Sequence, residues 1–454
     1  MAVSRFKKRL AKDLDRWIEN GLVPAGNRTA ILGDVPDARV GWSASGALAI
    51  LGAVLLGLAA ISFVAANWAD MGDILRLTLL FGVLWGCFAG AGWAFARDHS
   101  AIGHALALLG AAMFGASIVL VAQIFNMSSW RYTVLGIWAV GALAVALLTP
   151  SRPVLILASL LGAAWTWAET YNTFAPDVIW GYLPLWAITM LAASRMRSLV
   201  SANFLGIGLF VWLSFLVWDY AQDDRLSALQ SLSVFVLAAG GLAMLFAALR
   251  DGDRFGFGAL TNWGSVAALA GGFALQFQLS EFEDYAERGS SYRGSAQEYW
   301  ETLTGPGTGD YWLLAGVFAV IFAIGIVIRS LHRSASRILL IPASIAIAIA
   351  LLLPTLTQLA GPDAVLMLRI LTGASVFTLA VALILYGSRE GRRFTGGIGI
   401  ALFVAQALYV YSVTFGGLLD TSLFFLIGGL LLFGLSIAVI RMQKHLQAKP
   451  GEMS

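Results

Sequence analysis

Residues 47–76 read ALAILGAVLLGLAAISFVAANWADMGDILR, an apolar run that stops at Asn67-Trp68 and an acidic turn. A hydrocarbon core of about 30 Å needs about 20 apolar residues at about 1.5 Å each, so the run has the length and composition of one membrane crossing. The same pattern recurs along the chain. Candidate crossings fall near 46–66, 74–96, 101–125, 132–148, 153–171, 178–193, 199–218, 226–249, 256–279, 311–328, 338–353, 364–386, 394–415 and 422–440. The expected fold is all-α, a polytopic transmembrane helix bundle of about 14 spans. The sixth crossing is short and carries Pro184; a kink or re-entry there changes the number.

Composition agrees. Of 454 residues, 59% are hydrophobic and 12% charged, against about 25% charged in an average soluble domain. A mean hydropathy of +0.80 leaves more apolar surface than a soluble core can hide. A pI near 9.0 gives no case for nucleic acid when the basic residues line one membrane face. Cys87 is the single cysteine, which excludes an intramolecular disulfide, and it reads as a small core residue.

Charge distribution tests the span pattern independently, because Lys and Arg are retained on the cytoplasmic side. With both termini assigned to the cytoplasm, only Arg76, Arg131, Arg225, Arg288, Arg293 and Arg369 of the 29 basic residues fall on the external side. Acidic residues lean the other way. An even number of crossings with cytoplasmic N- and C-termini follows, whereas an error of two spans would pass the same test.

The chain then divides into a hairpin over 1–45, a membrane region over 46–440 with an external acidic loop at 280–310, and a cytoplasmic tail over 441–454. In the hairpin Phe6, Leu10, Leu14, Trp17 and Ile18 recur at helical spacing, Asn20-Gly21 forms a C-terminal stop, and Pro24 opens a second short helix. Its basic start leads into charged residues, unlike a signal peptide. Lys7, Lys8, Arg9 and Lys12 are placed for contact with anionic lipid, worth roughly 1 kcal/mol each near the surface; packing on cytoplasmic loops is the plainer alternative.

Few polar groups lie inside the spans, and such groups are the default functional candidates. No Asp or Glu falls mid-span; Glu169, Asp219 and Asp363 sit at external ends. Asn67, Arg76, Gln123, Asn126 and Arg369 all lie toward the external half and are the candidate contacts for a small solute or anionic ligand, which a guanidinium fork suits. The plainer alternative pairs Arg76 with Asp73, and Arg369 with Asp363 or Glu169. His104 reads as an interhelical hydrogen-bonding group, and Gln276, Gln278, Gln358 and Gln406 as ties between helices. Gly82, Gly86 and Gly90 mark a close-packing seam. No catalytic, metal-ligand or cofactor motif is present in the sequence.

The segments RWIENGL (16–22) with Ile31-Leu32, LGAVLLGLAAISFVAANW (51–68) with Arg76-Leu77, and GHALALLGAAMFGASIVLVAQIFN (103–126) resemble the bacterial membrane proteins of domain of unknown function 2157. The resemblance covers about the first third of the chain. It implies a polytopic inner-membrane protein and brings no activity. Three function classes fit these readings: a transporter or channel with an external polar cavity, a membrane scaffold or envelope-stress partner, and an enzyme on a lipid-linked substrate.

Overall fold

A computed structural model describes residues 5–34, isolated positions between 48 and 66, then 72–127, 131–172, 178–223, 225–251, 255–288, 300–301, 303–305, 308–331 and 337–414. Fourteen α-helices and no strand occur among these residues. They are α1 Arg5–Glu19, α2 Arg28–Asp34, α3 Asp73–Ala96, α4 Ser100–Ile124, α5 Thr133–Leu148, α6 Arg152–Thr170, α7 Tyr182–Met196 and α8 Leu199–Gln222, followed by α9 Ala228–Asp251, α10 Phe257–Arg288, α11 Thr308–Leu331, α12 Arg337–Ala360, α13 Val365–Arg389 and α14 Arg393–Thr414. Helices α3 to α14 coincide with the second to thirteenth expected crossings. The first, apart from its isolated positions, and the fourteenth lie outside the described residues.

Nine of the described helices are long and apolar enough to cross a membrane: α3, α4, α6, α8, α9 and α11 to α14. Of the twelve helices α3 to α14, the other three differ for physical reasons. Helices α5 and α7 have 16 and 15 residues, reaching only about 24 and 22 Å. Pro184 lies in the first turn of α7, where its missing N–H has no intrahelical acceptor, so it starts that helix without kinking it. Helix α10 is interrupted by polar residues, and it continues through 280–288 into the expected acidic loop. Glu, Ala and Arg there are good helix formers.

The chain forms two compact units, Met1–Met127 and Ser128–Ser454. In the first, α1 ends at Gly21 with φ +70, where the Leu22 N–H donates to Trp17 O at 2.9 Å; glycine adopts this left-handed stop without a Cβ clash. Arg28 then returns to Asp15 with a two-pronged contact, 2.7 Å from Nε and 3.3 Å from Nη2. Helices α3 and α4 form an antiparallel hairpin around Leu80, Leu84 and Met113. Its close approach uses glycines of α4: a Cβ on Gly103 or Gly110 would lie 2.6 or 2.7 Å from the rings of Phe95 and Phe88. No described residue lies within 4 Å of a Cβ built on Gly82 or Gly86, whereas one on Gly90 would lie 3.2 Å from Leu106 Cδ1, so of the expected seam on α3 Gly90 alone meets α4.

In the second unit α9 is central, packing on α8, α10, α11 and α12, while α13 joins α10, α12 and α14. Small residues permit this. A Cβ on Gly241 would sit 2.8 Å from Phe318 O, and one on Gly325 would sit 2.9 Å from Leu245 N, so α9 and α11 meet backbone to backbone. On α11 the buried row Tyr311, Ala315, Phe322 and Arg329 faces inward, and Leu313, Val317, Val320, Ile324 and Val327 face out. An apolar outer face of this kind is stable against lipid and would drive aggregation in water. Pro354 breaks the backbone ladder of α12, and Tyr311 Oη donates to the nearby Leu351 carbonyl.

Candidate functional site

Helices α9 to α14 leave a cavity of ≈140 Å³ between them. It runs from Val236 to Arg250 along α9, from Thr261 to Leu275 along α10 and from Thr372 to Tyr386 along α13. Each pair is fourteen residues apart, about 21 Å at helical rise. Ala243, Phe322, Ile347, Val376 and Leu383 are among the apolar wall residues.

The wall also contains hydroxyls, yet they turn inward. Thr261 donates to Phe257 O, Ser265 to Thr261 O, Thr372 to Leu368 O and Ser375 to Thr372 O, at 2.7–2.8 Å. Each of these four hydroxyl protons is committed to its own helix, which leaves that stretch of the wall poor in donors.

The two ends differ. At one, Arg250, Arg329, Asn262, Tyr386 and Thr395 line the cavity. Arg329 is only 2% exposed; its Nη2 donates to Tyr386 Oη at 3.4 Å and its Nη1 lies 3.7 Å from Met244 Sδ. Arg392 sits over the Tyr386 ring at 5.7 Å, so Tyr386 meets one guanidinium at its hydroxyl and another at its ring face. Beyond the other end, Gln276 and Gln406 exchange reciprocal amide bonds at 2.9 and 2.7 Å. Tyr409 Oη donates to the Gln276 carbonyl at 3.0 Å. The pair abuts Gly373, where an added Cβ would come 2.9 Å from Gln276 Oε1. Gln276 and Gln406 thus tie α10 to α14.

The residues expected to contact a ligand lie elsewhere. Asn67 is outside the described residues. Arg76 pairs with Asp73 at 3.1 Å in the first turn of α3. Gln123 and Asn126 are exposed at the far end of α4, so these three share the end of the α3–α4 hairpin opposite its turn. Asn126 has φ +49 and caps α4, with the Met127 N–H donating to Ala122 O at 2.8 Å. Arg369 belongs to the second unit, where its Nη1 donates to Ser280 Oγ at 3.2 Å. None of the described four lines the cavity. Lys12 is exposed on α1; Lys7, Lys8 and Arg9 lie on the same helix, with side chains outside the description.

Other polar expectations resolve locally. His104 meets the Phe95 ring edge-on at 5.1 Å, and its Nδ1 is buried with no hydrogen-bond partner. Glu169, placed by sequence at an external end, is 3% exposed near the end of α6 and accepts from Asn172 Nδ2 at 3.3 Å. Gln358 reaches the carbonyls of Thr304 and Gly305 at 2.7 and 3.1 Å. Among the described residues no three His, Cys, Asp or Glu side chains group to hold a metal.

Sequence reasoning missed Arg250, Arg329 and Tyr386, having assigned the arginines to a topogenic role. A usable signal exists: Arg329 follows Ala315 and Phe322 at seven-residue intervals, which puts it on the buried face of α11.

The family model described as "Predicted membrane protein (DUF2157)" matches residues 15–155, the first third of the chain. No curated protein and no solved structure matches.

Proposed function

We propose that the protein is a transporter-like membrane protein whose cavity between α9 and α14 receives a solute. The cavity itself carries this reading. A space of ≈140 Å³ lined from six helices is room for a small solute; a protein serving only as a scaffold has no use for it, and a carrier requires a chamber. The site combines an apolar wall with a cationic end, whereas Asn67, Arg76, Gln123 and Asn126 of the first unit, and separately Arg369 of the second, remain proposed contacts for a small or anionic solute.

We place it in a bacterial inner membrane with about 14 spans and both termini in the cytoplasm, on the Lys and Arg bias and the family resemblance. On that assignment the arginine end of the cavity faces the cytoplasm, and the α1–α2 hairpin rests on anionic lipid through Lys7, Lys8, Arg9 and Lys12. Flux across proteoliposomes containing the full-length protein, over a panel of inorganic anions, organic acids and amphiphiles, tests the reading. Arg329→Gln is expected to reduce flux of the accepted solute. Absence of protein-dependent flux over the whole panel overturns it.

A further inference from the structure

We infer that the part of α12 before Pro354 is a movable wall of the cavity, swinging about the proline, and that the Tyr311 hydroxyl latches it against α11. The inference rests on reading the cavity as a solute chamber and names the element that opens it.

Three observations on α12 converge. Pro354 has no N–H for the Ala350 carbonyl, four residues earlier, and its ring crowds that carbonyl, so the helix bends most easily at this turn. Every α12 residue of the cavity wall, from Leu339 to Ala350, lies before the proline. Pro342 stands near the start of the helix, where a bend carries little of that wall. Packing divides at the same place. None of residues 338–349 is buried, whereas Ala350, Leu353, Pro354 and Thr357 are. Beyond the proline, Gln358 Nε2 donates to the carbonyls of Thr304 and Gly305 at 2.7 and 3.1 Å, which pins the far end. The near end has the cavity on one side and the exposed Ile341 and Ile345 on the other.

The latch sits in the bending turn. Tyr311 on α11 is 1% exposed and packs among Leu226, Val234 and Leu237, so its ring is held in place. Its Oη donates to the Leu351 carbonyl, three residues before the proline. A rotation of about 20°, ordinary for a proline bend, moves Leu351 by about 1.5 Å and breaks that bond. The same rotation moves Ile341, thirteen residues before the proline, by about 7 Å, enough to admit a small solute.

The test spin-labels full-length Cys87→Ser protein in nanodiscs and measures distances by double electron–electron resonance. One pair joins Ile341→Cys to Val320→Cys on the outer face of α11; the other joins Leu359→Cys, beyond the proline, to Val320→Cys. All three side chains are exposed, so the labels leave packing intact. Expected for the 341–320 pair is a second distance, shifted by up to about 7 Å, while the 359–320 pair keeps one. Tyr311→Phe, which keeps the ring and removes the hydroxyl, should raise the population of the second distance about threefold, the worth of one hydrogen bond between membrane helices. Pro354→Ala, which returns an N–H to the Ala350 carbonyl, should leave the first distance alone. A single 341–320 distance in both the wild type and Tyr311→Phe overturns the inference. So does an equal shift of the 359–320 pair, which would make α12 a rigid rod, or a second distance that persists in Pro354→Ala. A population unchanged by Tyr311→Phe overturns the latch. Two distances without flux in proteoliposomes uphold the hinge and overturn the carrier reading; flux with one distance does the reverse.

Discussion

Replacing Gln276 or Gln406 by methionine, singly and together, probes the tie between α10 and α14. Both side chains are at most 1% exposed, and each gives and accepts one amide bond. Methionine has similar length and volume, so packing changes little. A single substitution removes both bonds and leaves the partner amide buried with nothing to bond, at about 1–3 kcal/mol. The second substitution then removes an already orphaned group and should cost much less. Hydrogen bonds between membrane helices average about 0.6 kcal/mol and reach about 1.7, so two of them predict a coupling energy of about 1–2 kcal/mol. Denaturant titration of the four proteins in bicelles, followed by tryptophan fluorescence, measures the cycle. Additivity within about 0.3 kcal/mol would refute the claim that the two amides act as one unit.

At the α9–α11 crossing, Gly325→Val places a Cβ against the backbone of Met244 and Leu245 and should destabilise the protein by about 1–3 kcal/mol. Gly316→Val on the same helix meets nothing within 4 Å and should be neutral in the same titration. The Arg28 guanidinium, chiefly through its hydrogen bond, holds the Asp15 carboxyl below its ordinary 3.8. The ion pair therefore stabilises the hairpin at pH above that value, and its contribution is lost as pH falls through the lower folded value. The NMR titration midpoint of the Asp15 carboxyl carbon should lie below 3.8 and return toward it in Arg28→Gln. Finally, in a Cys87→Ser background, Lys12→Cys and Lys444→Cys should react with an impermeant thiol reagent only from the cytoplasmic side, and Gln297→Cys only from outside. Labelling of the two termini from opposite sides would refute an even number of spans.

The sequence by itself determined where helices form. Twelve expected crossings coincide with α3 to α14 because an apolar run bounded by charge or proline is a local property, readable from spacing and composition. Their ends were less legible: 280–288 looked like loop from its acidity, yet its residues extend α10. Helix length also separates α5 and α7 from the nine long apolar helices; the sequence showed the sixth crossing, α7, to be short, and hydropathy along the chain blurred the distinction for the fourth, α5.

Contacts between helices belong to the tertiary structure alone. Gln276 and Gln406 are 130 residues apart, and nothing local pairs them. Arg329 looked like one more basic residue marking a loop, and becomes a cavity residue only because Gly241 and Gly325 let α9 and α11 close on each other. Arg76 and Arg369, matched by their positions in the first turns of their helices, find Asp73 in one case and Ser280 in the other. In a lipid-facing bundle almost every helix surface is apolar, so hydrophobicity does not say which face turns inward. Close backbone approach and the few polar side chains decide it, and both depend on how the helices assemble.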